Sequence, residues 1–519
     1  MVDTVRARSA MVCSVDERAT DIGLAVLSSG GNAVDAAVAA NAVLTVTAQH
    51  MCGLGGDLFA LVHAGSGPPA VLNASGRAGS GASASAVRSE GRQEIPHRGH
   101  LAAVTVPGCV DGWSALHHRY GTTPLAELLG PAIELAADGF EPTPLLVAAS
   151  GLLDDVVGPH DFEDLVAGRT VIRTGIARTL EAIAGGGRGG FYRGEFGSAL
   201  LELGGGQFDI GDLDRSQAEW VDPLGARLRG RDVWTVPPNS QGYLCLAGSL
   251  IADTIGWPRD PDSPAWAHLG IEAARAAGFD RPDVLHDGAD GATLLGPDRL
   301  AARAAAIDPD RAADWGGTYG DGGTMYLCTA DGSGMAVSLI QSNARDFGAH
   351  MTVGDTGVFL HNRGIGFSLE DGHPAELAPG RRPPHTLSPV LVTHPDGSLV
   401  AVLGTMGGDA QPQIVQQLLT RMLVHGQEPG DIIGAPRWLL ASADPRSGFD
   451  TWSNQGRVRV WLESAVPDSW RAELERRGHT VEQLDHPAAF GHAHLIMRTP
   501  DGWAGAADPR AVSGAVRGH

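Results

Sequence analysis

The stretch that decides the fold is GGTMYLCTADGSGMAVSLIQS, residues 322–342, where a glycine-rich segment gives way to alternating side chains. Two alternating runs flank the sequence DGSG at 331–334, which is typical of a tight turn, so the pattern predicts a β-hairpin beginning at Thr324. If the bond between Gly323 and Thr324 is cut, Thr324 carries both a hydroxyl and a free α-amine. Such an amine titrates at roughly pH 7.7–8.0 and would serve the hydroxyl as a base. The alternative is an ordinary hairpin with a threonine at its start.

The composition describes a protein that stays dispersed and has room for a large core. The chain has 519 residues, of which 43% are hydrophobic, and its formal net charge is −22. That charge argues against partners such as nucleic acid or an anionic membrane surface. All 38 residues counted as lysine or arginine are arginines. The lack of lysine excludes a Schiff-base lysine, a Walker-type phosphate lysine and a Ser-Lys dyad.

The five cysteines are far apart and form no CxxC pair: Cys13, Cys52, Cys109, Cys245 and Cys328. An odd, scattered set argues against a disulfide framework or zinc site and favours a reducing compartment, so we expect a cytoplasmic protein. The first residues lack the apolar core of a signal peptide, and no apolar run approaches a membrane span. The histidines form no HExxH or similar ligand grouping, so a metalloenzyme is a weak alternative and no metal or cofactor is predicted.

Helical sequence is clearest between residues 18 and 46, where Asn32 is placed to cap a second, alanine-rich helix. The glycine loop HMCGLGGDLF at 50–59 runs from loop into strand, whereas a phosphate loop runs from strand into helix. We therefore interpret these glycines as positions of close backbone approach. Arg77 ends a strand among small residues, which leaves room for an anion beside it, although a solvated surface charge is the commoner case.

A second glycine pair stands between a strand and a helix. The strand at 399–403 leads into GTMGGD at 404–409, and a helix is predicted from Pro412. The backbone N–H groups of Gly407 and Gly408 are suited to hold an oxyanion there. An ordinary strand-to-helix turn explains the same pattern equally well.

Together these residues resemble the γ-glutamyltransferase family of N-terminal nucleophile hydrolases, over nearly the whole chain. The motifs that carry the likeness stand in the family's order: GGNAVDAAVA at 30–39, GLGGDLF at 53–59, PG at 107–108 before GW at 112–113, PP at 237–238 before SQG at 240–242, the strand opened by Thr324, the Gly407-Gly408 pair, and GAADPR at 505–510. Each motif alone is weak, whereas the ordered set is specific.

The resemblance implies an α+β fold, a four-layer αββα sandwich, made as one inactive chain that cuts itself before Thr324. Residues 1–323 would form a large chain and residues 324–519 a small chain, which stay together. By the likeness, Thr324 is the nucleophile, Gly407 and Gly408 are the oxyanion pair, and Ser342 hydrogen-bonds the nucleophile. The partners implied are a small carboxylate substrate and the other chain of the same precursor. A homo-oligomer of the processed heterodimer is compatible with the sequence.

The chain departs from the glutamyl-specific pattern where that pattern binds the substrate α-amine. The acidic segment of such members is replaced by IGFS at 365–368, and the neighbouring glutamine position is Arg363. A buried ammonium without an anionic partner is costly, so a free amino acid is a poor fit. Arg77 and Arg363 suggest instead a carboxylate or α-keto acid held by guanidinium groups. His385 and Thr386 replace a serine pair, and His385 is expected to donate a further hydrogen bond.

Within the family, three stretches look like the oxamate amidohydrolase branch: HMCGLGGD at 50–57, NRG at 362–364 and GTMGGD at 404–409. By that likeness Asn362 joins the predicted substrate-binding residues. Similar proteins occur in lincosamide-type antibiotic pathways, where they are linked to hydrolysis of a C–C bond. True γ-glutamyl hydrolysis or transfer is the other enzymatic alternative. An uncut binding or scaffold protein is the alternative of a different class, and it would show a single intact chain.

Overall fold

The computed structural model describes residues 2–162, 165–313, 323–442, 458–485 and 487–519. Seventeen strands lie in these ranges: β1 Val5–Ala7, β2 Met11–Ser14, β3 Asp57–Ala64, β4 Ala70–Ala74, β5 Glu219–Val221, β6 Leu224–Leu228, β7 Arg231–Thr235, β8 Met325–Ala330, β9 Met335–Ser342, β10 Val390–Thr393, β11 Leu399–Thr405, β12 Trp438–Ser442, β13 Val458–Glu463, β14 Val481–Leu484, β15 Ala493–Thr499, β16 Gly502–Ala507 and β17 Ala515–Gly518.

The same ranges contain seventeen α-helices: α1 Glu17–Ser28, α2 Ala33–Thr47, α3 Ala84–Ser89, α4 Cys109–Tyr120, α5 Leu125–Asp138, α6 Pro144–Ala148, α7 Thr174–Tyr192, α8 Glu195–Gly204, α9 Ile210–Asp214, α10 Tyr243–Ile255, α11 Pro264–Gly278, α12 Arg281–Val284, α13 Gly291–Leu294, α14 Pro297–Ala305, α15 Gln411–Leu423, α16 Pro429–Gly434 and α17 Asp468–Arg476. None of the described helices is long and apolar enough to span a bilayer.

The predicted hairpin is confirmed, because β8 and β9 pair antiparallel from Met325 opposite Gln341 to Ala330 opposite Ala336. Successive side chains of a strand point to opposite faces of the sheet. Met325 accordingly packs in the core under the helices, whereas Tyr326 packs in the core between the two sheets. Thr324 has the parity of Tyr326, so the hairpin directs it towards the space between the sheets.

Two seven-stranded sheets form the centre of the molecule. One has the strand order β17-β2-β8-β9-β3-β4-β5 and the other has the order β1-β16-β15-β11-β10-β7-β6. A small sheet of β12, β13 and β14 stands apart from them. Each large sheet takes strands from both sides of residue 324, so a cut at that position would leave two chains interleaved in both sheets. The division into chains 1–323 and 324–519 itself stays a prediction.

The packing gives four layers, which confirms the αββα prediction. Side chains from the two large sheets meet in one apolar core, represented by Ile340 of β9 and Val402 of β11. Helices α2, α4, α5 and α7 cover the outer face of the sheet that contains β8, and α10, α11 and α15 cover the other sheet. Burial of apolar surface in three stacked cores is the dominant stabilising term for such an arrangement.

Local sequence signals set the first helices and the glycine loop as expected. Asn32 caps α2 through a capping box with Asp35, the reciprocal pairing that satisfies two N–H groups at a helix start. Gly55 allows the close approach predicted for the loop at 50–59, because a Cβ there would lie 2.1 Å from the carbonyl oxygen of Phe359. That carbonyl belongs to the segment that leads into Asn362 and Arg363. The glycine thus brings a distant segment to the beginning of β3.

Candidate active site

Polar side chains line up across the same end of four neighbouring strands, β8, β9, β3 and β4, on the face that meets the second sheet. Ser342 pairs with Asp57 in the β9–β3 ladder, and the hairpin register sets Thr324 beside Ser342. The β3–β4 register continues the row to Ser75. All four of these residues are buried. The ends of these four strands therefore present a row of hydroxyls interrupted by one carboxylate.

The bond between Gly323 and Thr324 lies within a network of short hydrogen bonds. The Thr324 hydroxyl oxygen is 2.7 Å from the carbonyl oxygen of Gly323 and 3.1 Å from the Ser342 hydroxyl oxygen. Ser342 donates a hydrogen bond of 2.6 Å to the same carbonyl and accepts one of 2.7 Å from the Ala344 amide. Ser342 can therefore polarise the carbonyl that the adjacent threonine would attack. The arrangement suits transfer of an acyl group from nitrogen to oxygen.

Gly323 is a position of close backbone approach. A Cβ at this residue would lie 2.9 Å from the Asp346 backbone nitrogen and 3.1 Å from the His50 carbonyl oxygen. Asn343, which follows Ser342, holds the loop around His50 by donating its side-chain amide to the Gln49 carbonyl at 2.9 Å. A side chain before Thr324 would therefore push the carbonyl away from Ser342.

The predicted oxyanion pair follows β11 of the facing sheet. A Cβ on Gly404 would lie 2.4 Å from the Tyr326 ring, so β11 ends over the Thr324 end of β8. Gly407 has φ 124°, a left-handed backbone that favours glycine. Within the described part of the chain, neither the Gly407 nor the Gly408 amide has a hydrogen-bond acceptor. These N–H groups precede α15, a position that suits an oxyanion site, and the oxyanion role itself stays a prediction.

Arg363 forms the cationic side of the site. It is 1% exposed, and its guanidinium donates a hydrogen bond of 2.9 Å to the Thr386 hydroxyl. Burial, followed by the nearby charge of Arg281, lowers the pKa of Arg363 to about 10, while Asp409 and Asp57 act in the opposite direction. The guanidinium is thus still charged at neutral pH. A buried, charged guanidinium is suited to bind a carboxylate.

Gln241 joins the cationic side to the oxyanion pair. Its side-chain nitrogen donates hydrogen bonds of 2.9 Å to two carbonyls, those of Thr386 and Gly408. Gln241 follows β7 in the SQG motif, and Thr386 precedes β10. One amide therefore fixes the spacing between the residue that binds Arg363 and the loop that carries the oxyanion pair. Gln241 lies in the SQG motif that carries the family likeness, but it was not predicted as a site residue.

The buried carboxylate of Asp57 was also missed as a site residue. His385 donates to it from Nε2 at 3.1 Å, and the Leu387 amide donates to the other ring nitrogen of His385 at 3.3 Å. Burial lowers the pKa of His385 to about 4, so the ring is neutral at pH 7. Both ring nitrogens are occupied within the protein, so the predicted hydrogen bond from His385 to substrate is not available in this arrangement. The signal available in the sequence was one acid between glycines and the apolar run of β3.

Arg77 and Arg363 lie among different charged groups: Arg382, Arg215, Glu219 and Asp287 surround Arg77, whereas Arg281, Asp409 and Asp57 surround Arg363. The Arg77 guanidinium donates to Glu219 at 3.0 Å, and Arg382 donates to the same carboxylate at 2.9 Å. The prediction that the two arginines hold one carboxylate together is therefore not supported, because they belong to separate charge clusters.

Asn362 also has a structural task. Its side-chain oxygen accepts from the Arg345 amide at 3.0 Å, and its side-chain nitrogen donates to the His97 carbonyl at 3.0 Å. The loop after Ser342 is thereby fastened to the segment that carries Arg363.

Among the described residues, no group of three His, Cys, Asp or Glu side chains is arranged as a metal site.

The αββα sandwich is the fold of the N-terminal nucleophile hydrolases, a class of self-processing enzymes. The comparisons with known proteins narrow this class. The model of the γ-glutamyltranspeptidase family matches residues 19–518, and the chain belongs to that family.

Two relatives that align with nearly the whole chain are named as proenzymes. The chain is 37% identical to the oxamate amidohydrolase proenzyme of Klebsiella pneumoniae, covering 96% of this chain and 97% of the relative. It is 34% identical to the glutathione hydrolase-like YwrD proenzyme of Bacillus subtilis, covering 98% of each. The crystal structure of the cephalosporin acylase from Bacillus halodurans superposes with a TM-score of 0.89 at 33% identity, covering 100% of this chain and 97% of that chain. The protein is therefore an enzyme of a family of hydrolases made as precursors.

Proposed function

We propose that this enzyme cuts itself between Gly323 and Thr324 and then hydrolyses an amide or related acyl bond beside a small carboxylate. The observation that carries the proposal is the geometry at the junction. The Thr324 hydroxyl lies 2.7 Å from the Gly323 carbonyl oxygen, and Ser342 donates to that oxygen at 2.6 Å. Nucleophile, carbonyl and polarising donor are thus within hydrogen-bond distance before any cut is made.

The proposed self-cleavage takes two steps. The Thr324 oxygen attacks the Gly323 carbonyl carbon, the C–N bond breaks, and the hydroxyl proton passes to the departing nitrogen. The product is an ester between Gly323 and the Thr324 side chain. Water hydrolyses the ester, which releases a Gly323 carboxylate and restores the Thr324 hydroxyl. The new α-amine, with a pKa of roughly 7.7–8.0, then serves as base for the same oxygen.

Catalysis on substrate repeats the attack. In the proposed reaction Arg363 binds the carboxylate of an oxamate-like molecule, and the Thr324 oxygen adds to the adjacent carboxamide carbon. The amides of Gly407 and Gly408 stabilise the resulting oxyanion. Ammonia leaves with a proton, and water then hydrolyses the oxalyl ester on Thr324 to release oxalate. The burial and charge of Arg363 support this substrate class, as does the similarity to an oxamate amidohydrolase proenzyme.

Hydrolysis or transfer of a γ-glutamyl group is the second candidate, because one similar protein is named a glutathione hydrolase-like proenzyme. An α-ammonium needs an anionic partner when buried. The segment that would supply it reads Ile365-Gly366 here, beside the cation of Arg363. This charge arrangement favours the carboxylate substrate. A C–C bond hydrolase of lincosamide-type biosynthesis is a third candidate, which would form an acyl-threonine by breaking a different bond.

The test compares oxamate with a γ-glutamyl anilide as substrates of the processed enzyme. We expect release of ammonia from oxamate and little release of the aniline. Rapid turnover of the anilide with no turnover of oxamate would contradict the proposed specificity. The mass of an acyl adduct trapped on the peptide that begins with Thr324 identifies the acyl group and so separates an oxalyl donor from a γ-glutamyl donor, whereas release of ammonia from oxamate distinguishes amide cleavage from cleavage of a C–C bond.

A further inference from the structure

Asp57 is a buried charge between the two halves of the site. It begins β3 directly across the ladder from Ser342 and is fully buried. One carboxylate oxygen accepts from the Gly76 amide at 2.9 Å. The other lies 3.1 Å from His385 Nε2 and 3.5 Å from His361 Nδ1. Burial by itself would raise the pKa of Asp57, but the two histidines and the Gly76 amide outweigh it and lower that pKa, so the carboxylate stays charged.

The contacts of His385 carry the position of Asp57 towards Arg363. The Leu387 amide donates to Nδ1 of His385, so the proton lies on Nε2 and points at Asp57. The edge of the ring packs against Phe59 of β3 with 4.8 Å between centroids. The neighbouring residue, Thr386, accepts the hydrogen bond of Arg363. Asp57 therefore holds the ring of the residue that directly precedes Thr386, whose hydroxyl accepts from the guanidinium.

We propose that Asp57 is a positioning residue that sets the preference for a carboxylate substrate. It does not touch the substrate: it orients His385, which places Thr386, which in turn aims the guanidinium of Arg363. The inference rests on the proposed function, because it requires that Arg363 bind a carboxylate. Loss of the Asp57 charge should therefore weaken binding of the carboxylate more than it slows the chemistry at Thr324.

The experiment begins with Asp57→Asn, which keeps the shape and removes the charge. We expect the chain still to cut itself, the KM for oxamate to rise about 10- to 100-fold, and kcat to change less than about threefold. The matched control is Asp111→Asn, another buried carboxylate, which pairs with Arg188 on the helix side of the sheet. The control should lower thermal stability and leave the KM unchanged. An unchanged KM in Asp57→Asn, or an equal rise in Asp111→Asn, would overturn the inference.

A double-mutant cycle with Arg363→Gln separates positioning from general loss of structure. If Asp57 acts through Arg363, the KM of the double variant should exceed the KM of Arg363→Gln by less than about threefold. Multiplicative effects would show that Asp57 acts independently of the arginine and would refute the inference. If Asp57→Asn does not fold, His385→Gln takes its place in the same cycle. It loses the rigid ring that bridges Asp57 and the Leu387 amide, so its KM should rise in the same range, and an unchanged KM would refute the inference.

Calorimetry with oxamate on the uncut Thr324→Ala chain separates this inference from the proposed function. Binding that weakens in Thr324→Ala/Asp57→Asn supports the inference. Equal binding by the two chains overturns the inference and leaves the proposed function standing. A third result concerns the proposed function itself. If the wild-type enzyme does not hydrolyse oxamate and the Thr324→Ala chain does not bind it, the proposed function fails, and the inference that depends on it fails as well.

Discussion

Arg363→Gln separates recognition of the carboxylate from the chemistry at Thr324. Arg363 is 1% exposed and keeps its charge at pH 7, because burial lowers its pKa only to about 10. A hydrogen bond from a charged donor contributes about 1.5–3 kcal/mol, and about 1.4 kcal/mol corresponds to a tenfold change in binding. Loss of one such bond to the substrate should raise the KM for oxamate about 10- to 150-fold. The Thr324 and Ser342 contacts remain, so kcat should fall much less.

The assay is steady-state release of ammonia from oxamate by enzyme whose self-cleavage has first been verified on a denaturing gel. Arg421→Gln is the matched control. Arg421 lies near the end of α15, is also buried and forms an ion pair with Asp262. We expect the control to lose stability without a change in KM. A wild-type KM in Arg363→Gln would refute the assignment of the anion site, and so would an equal rise in the control.

Three further predictions concern cleavage, the oxyanion and pH. Ser342→Ala loses the 2.6 Å hydrogen bond to the scissile carbonyl, so self-cleavage followed on gels should slow about 10- to 100-fold, whereas Ser342→Thr should retain it. Gly407→Ala strains a residue with φ 124° and should lower kcat about 100-fold. The control is Gly30→Ala, which is strained at φ 97° but has open space around it, so it should affect stability alone. An equal kcat in the two variants would contradict the oxyanion assignment. Because Arg363 is buried and keeps its charge, the KM for oxamate should be flat from pH 7 to 9, and a KM that changes severalfold over this range would contradict the role of a permanent cation.

The parts of the fold that could be predicted are those written in short stretches of sequence. The hairpin is encoded by alternation around one turn, and α2 is encoded by its cap at Asn32 and its alanine-rich face. The order of strand, glycine pair and helix at β11 and α15 was likewise readable from the sequence, while the oxyanion role of the pair stays a prediction. In each case the residues that interact are close in the chain, so local spacing is sufficient.

The arrangement of charges around the site could not be predicted, because it depends on which strands become neighbours. Asp57 and His385 are separated by 328 positions yet share a hydrogen bond. Arg77 was grouped with Arg363 because small residues around it leave room for an anion and because Arg363 stands at a substrate-binding position of the family. In the structure Arg77 pairs instead with Glu219, which the sheet order brings beside β4. Sheet order is set by burial across the whole chain rather than by any local motif.

Mass spectrometry of the purified enzyme tests the central claim most directly, because it reports the chain termini. We predict two chains, one ending at Gly323 and one beginning with a free amine on Thr324, and a single uncut chain for Thr324→Ala. Incubation with substrate should add an acyl mass to the peptide that begins with Thr324. Active enzyme in which residues 323 and 324 remain joined would contradict the account.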